Sequence, residues 1–222
     1  MRAYEVRDGR VAMRLTMNVV VGKAMKTQTP LFQEEMRYIE FSPYWNVPAS
    51  IARKEIVPQL RRDPAYLERE EFEFVSPGGE VAATLSPERL DALARSEIRI
   101  RQRPGPKNAL GDIKFGLRDT SIYLHHTPAT GLFLRGRRDF SHGCIRVQDP
   151  LALARFVLQN APAWTDDRMR EAMTRGQSST LALAEPIPVL ITYATALIRQ
   201  GKIHFLPDIY GHDRRLALAL RR

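Results

Sequence analysis

The sequence predicts a β-rich α+β fold in which a mixed helical subdomain is inserted into a larger domain. Three observations support this prediction. Short segments in which apolar and polar residues alternate, a pattern typical of strands, recur along the chain. Segments with helical spacing are fewer and short. The chain has 222 residues, 44% of them hydrophobic, which is enough for a large core, and it contains no apolar run long enough to span a membrane.

The chain is predicted to begin with a β-hairpin. Tyr4–Val6 and Val11–Val21 alternate as strands, and Asp8-Gly9 between them is a dipeptide that favours a tight turn. A loop over Gly22–Pro30 then separates the hairpin from the next alternating strand, Met36–Phe41. An aromatic loop follows this strand and leads into the first helix.

Polar residues that can cap a helix N-terminus mark most of the predicted helices. In three of them a Ser or Asp precedes proline, the residue favoured at the first helical position. Thr165 caps a fourth, which ends where Gly176 suits the left-handed position after a helix. The first helix is predicted from apolar residues near helical spacing. The predicted helices are Ala49–Arg62, Pro64–Glu68, Pro87–Arg95, Pro150–Leu158 and Asp166–Arg175.

The remaining predicted strands lie on both sides of a Pro/Gly-rich loop, Pro104–Gly111. Glu97–Arg103 alternates charged residues with isoleucine, as an edge strand would. We place the inserted subdomain at residues 33–103, between two parts of the larger domain at 1–32 and 104–222. The other strands are Phe72–Val75, Lys114–Phe115, Ser121–His125, Cys144–Val147, Thr180–Ala184, Pro188–Ile198 and Lys202–Leu206, the last two joined by a turn at Gln200-Gly201.

The formal net charge of +9 favours anionic partners such as nucleic acid, a membrane surface or an acidic cell-wall polymer. The basic residues are scattered in short clusters without interleaved aromatic residues. The sequence has no zinc-finger spacing, no RNA-binding signature and no glycine-rich loop of the Walker form. Specific nucleic-acid recognition is therefore disfavoured, and most of these charges are expected to lie on a solvated surface.

The segment Ile122–Pro150 carries the clearest chemistry. It holds the single cysteine, Cys144, and three of the five histidines. A thiol becomes nucleophilic when a nearby histidine accepts its proton, so one cysteine with separate histidines is the pattern of a cysteine nucleophile. Tyr123 and His125 share one face of a strand, which makes His125 a candidate to face a cleft. The alternative is a structural cysteine, because free cysteine is among the most buried residue types.

The residues from His125 to Arg146 resemble the active-site signature of the YkuD-type L,D-transpeptidases, which crosslink bacterial peptidoglycan. That signature is a histidine, a spacer, and then Ser or Thr, His, Gly, Cys, one apolar residue and Arg. Here fifteen residues separate His125 from Ser141, and Ser-His-Gly-Cys-Ile-Arg follows. Further likeness to the large branch of the family, which carries a lid insertion, lies at Val21–Lys23, Thr29–Pro30, Ser42–Pro48, Arg103–Gly111 and Pro207–Gly211.

This resemblance implies a YkuD-like catalytic β-sandwich or barrel core, with the inserted subdomain as a lid over the active-site groove. It implies that Cys144 is the nucleophile and His125 its general base, oriented by a backbone carbonyl rather than an aspartate. The backbone N–H groups of Gly143 and Cys144 are the expected donors to an oxyanion. His126 also satisfies the spacing and stands where the family branch often has an acidic residue, so it is the alternative base.

The other site residues leave alternatives open. His142 either shapes the oxyanion site or packs within its loop. Arg146 lies on the strand face of the thiol, and either braces the loop or holds a substrate carboxylate. Ser141 is expected to hydrogen-bond within its turn, and Trp45 with Asn46 either contacts substrate from the insertion or belongs to a packed aromatic loop. The residues expected along the substrate groove are Tyr123, Ser141, Trp45 and Asn46.

The function implied is two-step acyl transfer through a thioester on Cys144. The thiolate attacks a stem tetrapeptide on the carboxyl side of its diamino-acid residue, D-alanine leaves, and the amine of a second stem completes a 3–3 crosslink. No metal or organic cofactor is expected. The expected partners are donor and acceptor stem peptides in the periplasm or cell envelope, and carbapenems are expected to acylate Cys144.

Three alternatives to crosslinking remain. The first is hydrolysis at the same site by an L,D-carboxypeptidase or endopeptidase, the second a non-catalytic peptidoglycan-binding module, and the third the disfavoured nucleic-acid-binding protein. The chain starts abruptly inside the predicted hairpin, without an apolar leader. Compared with the family, we therefore expect the signal segment and any upstream domains to be absent and the chain to be a fragment.

Overall fold

The computed structural model describes residues 1–199 and 201–221 as strands joined by short helices. The strands are β1 (Arg2–Arg7), β2 (Arg10–Thr16), β3 (Val19–Gly22), β4 (Phe32–Phe41), β5 (Trp45–Asn46), β6 (Phe72–Val75), β7 (Val81–Ala82), β8 (Arg99–Gln102), β9 (Ile113–Leu117), β10 (Tyr123–His125), β11 (Asp139–Ser141), β12 (Ile145–Val147), β13 (Ser179–Ile191), β14 (Ala196–Arg199) and β15 (Lys202–Phe205). The α-helices are α1 (Ala49–Ile51), α2 (Val57–Arg62), α3 (Tyr66–Arg69), α4 (Pro87–Ala94), α5 (Pro150–Val157), α6 (Asp166–Thr174) and α7 (His212–Ala219). A π-helical turn, Ala52–Ile56, joins α1 to α2, and Thr130–Leu134 forms a 3₁₀ turn. None of the helices in the described ranges is long and apolar enough to cross a bilayer.

Seven strands form one large sheet, in the order β11–β3–β12–β10–β9–β4–β13. In its centre, β10 pairs in parallel with β12 and antiparallel with β9. The predicted cysteine and histidine segments therefore lie on neighbouring strands. The large sheet, together with the short helices around it, confirms the β-rich α+β fold class.

The large sheet has one apolar face, because side chains alternate between the faces along each strand. Helices α5 and α6 pack on this face and share its hydrophobic core. The strand residues of the apolar face are Ile39, Phe41, Ile113, Phe115, Leu124, Ile145 and Val147. The residues between them point to the opposite face, where the candidate site lies.

A second unit with its own sheet and core lies between β4 and β9. Its strands have the order β5–β8–β6–β7. Its core includes Leu60, Phe72, Phe74, Leu93 and Ile100. The predicted insertion starts at residue 33 and so includes β4, which pairs with both β9 and β13 in the large sheet. We propose that the inserted subdomain is the unit with the separate sheet, residues 45–102.

The segment Glu97–Arg103 is a strand as predicted, but the prediction of an edge strand is wrong. It contributes β8, which lies between β5 and β6. Arg101 forms an ion pair with Glu73 at 2.6 Å, and its guanidinium lies 4.1 Å from the centre of the Tyr44 ring. Arg101, one of the charged residues that suggested an edge strand, is thus paired with Glu73 on the neighbouring strand.

Most of the predicted helix ends are confirmed. The predicted caps accept a hydrogen bond from the backbone N–H three residues on, at Ser86 (3.3 Å), Asp149 (2.9 Å) and Thr165 (3.3 Å). Gly176 follows the C-cap of α6 with φ of +73°, as predicted. The predicted cap Asp63 is wrong, because α3 begins at Tyr66 without a side-chain cap and Asp63 pairs with Arg69 at 2.7 Å.

The strand boundaries differ from the predicted ones where one predicted strand contributes to two sheets. Val11–Val21 divides into β2, which pairs with β1, and β3, which belongs to the large sheet. Thr180–Ala184 and the start of Pro188–Ile198 form the single strand β13, while β14 pairs with β15 in a separate hairpin. In the predicted turn of that hairpin, Gln200 lies outside the described residues and Gly201 has φ of +74°. The sequence patterns predict no strand for the segment of β11 and no helix for the segment of α7.

Candidate active site

A row of polar residues crosses four strands on the face of the large sheet opposite the hydrophobic core. In cross-strand register, Glu40 lies opposite Lys114, and Lys114 opposite His125. His125 in turn lies opposite Arg146. Because alternate residues share a face, the residues two positions before His125 and Arg146 lie on it as well. We define the site face by these residues: Glu40, Lys114, Tyr123, His125, Cys144 and Arg146.

Cys144 directly precedes β12, and its thiol is half-buried. The thiol donates a hydrogen bond to the Ser121 carbonyl, with an Sγ–O distance of 3.7 Å. Burial raises the pKa of the Cys144 thiol, while hydrogen bonding to Tyr123 and the charges of Lys114 and Arg146 oppose the rise. The thiol is therefore protonated near neutral pH, and it needs a base to become a nucleophile.

Lys114 brings a positive charge to the site face. Its ammonium pairs with Glu40 at 2.9 Å and lies 5.1 Å from the centre of the Tyr123 ring. Burial lowers the pKa of Lys114, but the hydrogen bond and charge of Glu40 outweigh burial, so the pKa is raised. Burial and the neighbouring Cys144 raise the pKa of Tyr123, so its hydroxyl stays protonated and can donate to the sulfur. Both groups therefore favour a thiolate at Cys144.

His125 ends β10 and is only 4% exposed. Its Nδ1 lies 2.5 Å from the carbonyl oxygen of His126. A carbonyl only accepts, so Nδ1 carries the ring proton and Nε2 keeps a lone pair. Burial lowers the pKa of His125 to about 3, Arg146 acts in the same direction, and the carbonyls of His126 and Leu110 oppose it. The imidazole is therefore neutral near pH 7, as a general base must be.

His126, the alternative base, is held elsewhere. Its Nδ1 lies 3.2 Å from Asp112 Oδ2 and accepts a hydrogen bond from the Asp112 N–H at 3.3 Å. The ring also packs on Gly111, where an added Cβ would lie 2.5 Å from Nδ1. These contacts keep His126 at the loop before β9, so the geometry favours His125 as the base.

The turn before the nucleophile is closed by the Ser141 hydroxyl. This hydroxyl donates to the Cys144 carbonyl at 2.6 Å and accepts from the Gly143 N–H at 3.1 Å. The bonds within the turn are those expected, but Ser141 is 2% exposed, which corrects the expectation that it lines the substrate groove. Because the Gly143 N–H is already engaged, the Cys144 N–H is the better oxyanion donor in this conformation.

Arg146 contains an unpaired donor. Within residues 1–199 and 201–221, its Nε is the one buried side-chain nitrogen or oxygen without a hydrogen-bond partner. Leaving a buried donor unpaired costs about 1–3 kcal/mol. A ligand oxygen that accepts from Nε would remove this cost. The two roles predicted for Arg146, bracing of the loop and binding of a substrate carboxylate, stay predictions.

Of the remaining predicted site residues, His142 contacts the second unit, and Trp45 and Asn46 belong to it. His142 Nε2 lies 2.7 Å from Glu55 Oε1 in the π-helical turn, so His142 reaches across to this unit rather than packing within its own loop. The Trp45 ring lies 6.2 Å from the Phe72 ring at the core of the second unit, and Asn46 is exposed. This arrangement favours the packed aromatic loop over substrate contact for Trp45, while substrate contact by Asn46 stays a prediction.

Sequence reasoning does not identify Lys114 and Glu40 as site residues. The strands that contain them are predicted, but a charged residue in an alternating strand ordinarily marks a solvated face. Their alternation with Phe115 and Phe41 is visible in the sequence. Only the register of β4, β9 and β10 brings this charged pair to the thiol.

The site face has the parts required for acyl transfer by a cysteine nucleophile. The thiol of Cys144 is the candidate nucleophile, and the neutral imidazole of His125 is held in the tautomer that can accept a proton. Lys114, Tyr123 and Arg146 supply positive charge and hydrogen-bond donors around them. This set of groups is typical of a cysteine acyltransferase.

The chain belongs to the YkuD family, because its residues 1–169 match the model of the L,D-transpeptidase catalytic domain. It is also similar to a protein of Haemophilus influenzae named "Putative L,D-transpeptidase", with 33% identity over 216 residues. That alignment covers 96% of this chain and 43% of the relative, so the chain spans less than half the length of the curated protein it matches. These findings confirm the family predicted from the motif between His125 and Arg146.

Proposed function

We propose that this chain forms 3–3 crosslinks in peptidoglycan through a cysteine thioester. One observation carries the proposal: Cys144 directly precedes β12, which pairs with the His125 strand β10, and the His126 carbonyl fixes the His125 tautomer that leaves Nε2 able to accept a proton. The family acts on peptidoglycan peptides and is associated with the cell envelope. We therefore take stem peptides as the substrates and the cell envelope as the location.

In the first half-reaction, His125 Nε2 accepts the thiol proton as Sγ attacks the carbonyl carbon of the diamino-acid residue in a stem tetrapeptide. The Cys144 N–H donates to the developing oxyanion, and loss of one such donor costs about 10²–10³ in rate. The C–N bond to D-alanine then breaks, and the departing amine takes the proton from His125. A thioester on Cys144 remains.

In the second half-reaction, the side-chain amine of another stem attacks the thioester carbonyl carbon. His125 accepts a proton from this amine, the C–S bond breaks, and the proton returns to the sulfur of Cys144. The product is a 3–3 crosslink and a regenerated thiol. Neither half-reaction requires a metal or an organic cofactor.

Arg146 and the overall charge support binding of an anionic substrate. The unpaired Nε of Arg146 can donate to a carboxylate of the donor peptide, next to the reacting thiol. The net charge of +9 favours an acidic glycan-peptide polymer in the same way.

The proposal is tested by intact-protein mass spectrometry after incubation with a stem tetrapeptide and, separately, with a carbapenem. We expect a covalent adduct on the wild type, no adduct on Cys144→Ala, and adduct formation slowed by about 10²–10⁴ in His125→Ala. His126→Gln is the matched control and should retain the wild-type rate. If neither reagent modifies the wild type, the non-catalytic binding module becomes the better explanation.

Hydrolysis by the same thioester is the second function that the site can support. Water then takes the place of the acceptor amine, and the enzyme is a carboxypeptidase or endopeptidase. Product analysis with and without an acceptor stem separates the two reactions. A crosslinked product that appears only with the acceptor supports transpeptidation, whereas the same hydrolysis product in both samples contradicts it.

A further inference from the structure

The hydroxyl of Thr29 links two backbone groups next to the nucleophile. Thr29 is 5% exposed, and its Oγ1 donates to the Gly143 carbonyl at 2.8 Å. The same Oγ1 accepts from the Gly22 N–H at 2.9 Å. Both distances are ordinary for good hydrogen bonds, so the hydroxyl is fixed from two sides. A loop that is distant in sequence thereby holds the residue before Cys144.

The Gly143 carbonyl belongs to the same peptide group as the Cys144 N–H. A trans peptide is planar, so its C=O and N–H bonds point in opposite directions. By holding the carbonyl, Thr29 also sets the direction of the Cys144 N–H. Gly143 has φ of +122° and no Cβ, so no side chain of its own restrains rotation of this peptide. A rotated peptide would turn a carbonyl dipole towards the developing oxyanion and oppose catalysis.

Tyr210 holds the Thr29 loop from a part of the chain beyond residues 1–169, which match the family model. Its hydroxyl donates to the Gly22 carbonyl at 2.8 Å and accepts from the Thr29 N–H at 3.3 Å. Tyr210 is 9% exposed, and its ring stacks on Tyr193 with 5.6 Å between the ring centres. Tyr210, in the C-terminal segment, thus holds the backbone of Gly22 and of Thr29, next to the hydrogen bond between the Gly22 N–H and the Thr29 hydroxyl.

We propose that Thr29, held by Tyr210, is a positioning residue that keeps the Gly143–Cys144 peptide in the orientation in which the Cys144 N–H serves as an oxyanion donor. The proposal rests on the proposed function only in that Cys144 attacks a carbonyl carbon. It assigns a role to the C-terminal segment, which supports the nucleophile without contacting substrate.

Two reactions of Cys144 distinguish a role of Thr29 in orienting the Cys144 N–H from a general role in stabilising the fold. Iodoacetamide alkylates the thiol at a saturated carbon and forms no oxyanion, whereas acetylation by p-nitrophenyl acetate passes through one. The single cysteine makes both reactions report on Cys144, with Cys144→Ala as the background. In Thr29→Val we expect acetylation to slow by about 10²-fold and alkylation to change by less than about twofold. Thr29→Ser keeps the hydroxyl and should restore acetylation.

Equal slowing of both reactions in Thr29→Val, or wild-type acetylation, would overturn the proposal. If Thr29→Val does not fold, as judged by thermal unfolding, Tyr210→Phe is used with the same pair of reagents and should lower the ratio of acetylation to alkylation. An unchanged ratio in a folded Tyr210→Phe protein contradicts the role of Tyr210. Neither reagent is a stem peptide or a carbapenem, so failure of the proposed function is recognised separately, in the adduct experiment described above.

Discussion

On β9, Phe115 and Lys114 are neighbours in sequence but lie on opposite faces of the large sheet. Phe115 is fully buried in the core shared with α5 and α6, while Lys114 joins the polar row of the site face. On β12, Ile145 and Val147 belong to the core, and Arg146 between them keeps a buried donor unpaired. One face therefore provides the stability that lets the other hold unpaired and charged groups, and substitutions at adjacent positions should separate folding from chemistry.

The largest effect is expected on the core face. Phe115→Ala removes a fully buried ring and should lower the free energy of unfolding by about 3–5 kcal/mol, measured by urea denaturation. Phe205→Ala is the matched control, because Phe205 on β15 is 82% exposed and its loss should change stability by less than about 0.5 kcal/mol. Similar losses in both variants would contradict the distinction between the core and the surface.

A smaller, pH-dependent effect is expected from His125 on the site face. Its folded-state pKa of about 3 lies below the ordinary histidine value of about 6.5, so below that value the unfolded chain binds a proton that the folded protein excludes. Its contribution to stability is therefore complete above pH of about 6.5 and falls by about 1.4 kcal/mol per pH unit as the pH decreases towards 3.

The variant His125→Gln should lack this dependence. Urea denaturation at about pH 7 and about pH 5 should show a smaller loss of stability in His125→Gln than in the wild type, by about 2 kcal/mol. His204→Gln, at an exposed position on β15, should keep the wild-type difference. If His125→Gln and the wild type lose the same stability, His125 is not buried in its neutral form.

The smallest effect is expected from Lys114, the charge that the sheet register brings to the thiol. Lys114→Met should raise the midpoint of the pH dependence of Cys144 alkylation, because a charge that lowers the thiol pKa is lost. Iodoacetamide kinetics across the alkaline range measure this midpoint. Arg118→Met makes the same change in net charge at an exposed position and should leave it unchanged.

A double variant distinguishes a direct effect of the Lys114 ammonium from an indirect effect of Glu40. Lys114→Met alone leaves the Glu40 carboxylate without its partner on the site face, so the shift should also be measured in Lys114→Met with Glu40→Gln. Persistence of the raised midpoint in the double variant supports a direct effect of the ammonium. Its disappearance would assign the shift to Glu40 instead.

Much of the candidate site follows from patterns that are local in the sequence. The spacing of His125 and Cys144, together with strand alternation, predicts a thiol and an imidazole on one face, and the two segments do lie on neighbouring strands. The predicted backbone partner of His125 is the carbonyl of the next residue. The contacts of His142 with Glu55 and of Lys114 with Glu40 escape prediction, because they join segments that are 87 and 74 residues apart.

The sequence by itself determined the candidate nucleophile, the family and the helix ends at Ser86, Asp149 and Thr165, since these depend on residue chemistry and on bonds between near neighbours. The tertiary structure alone decided that β8 is internal and that Glu40, Lys114 and His125 form one row. It also decided that Thr29 reaches the Gly143 carbonyl and that Tyr210 reaches the Gly22 carbonyl, through bonds that span 114 and 188 residues. The physical reason is register: a shift of one residue in strand pairing moves every side chain to the other face, and no local pattern fixes that choice between distant strands.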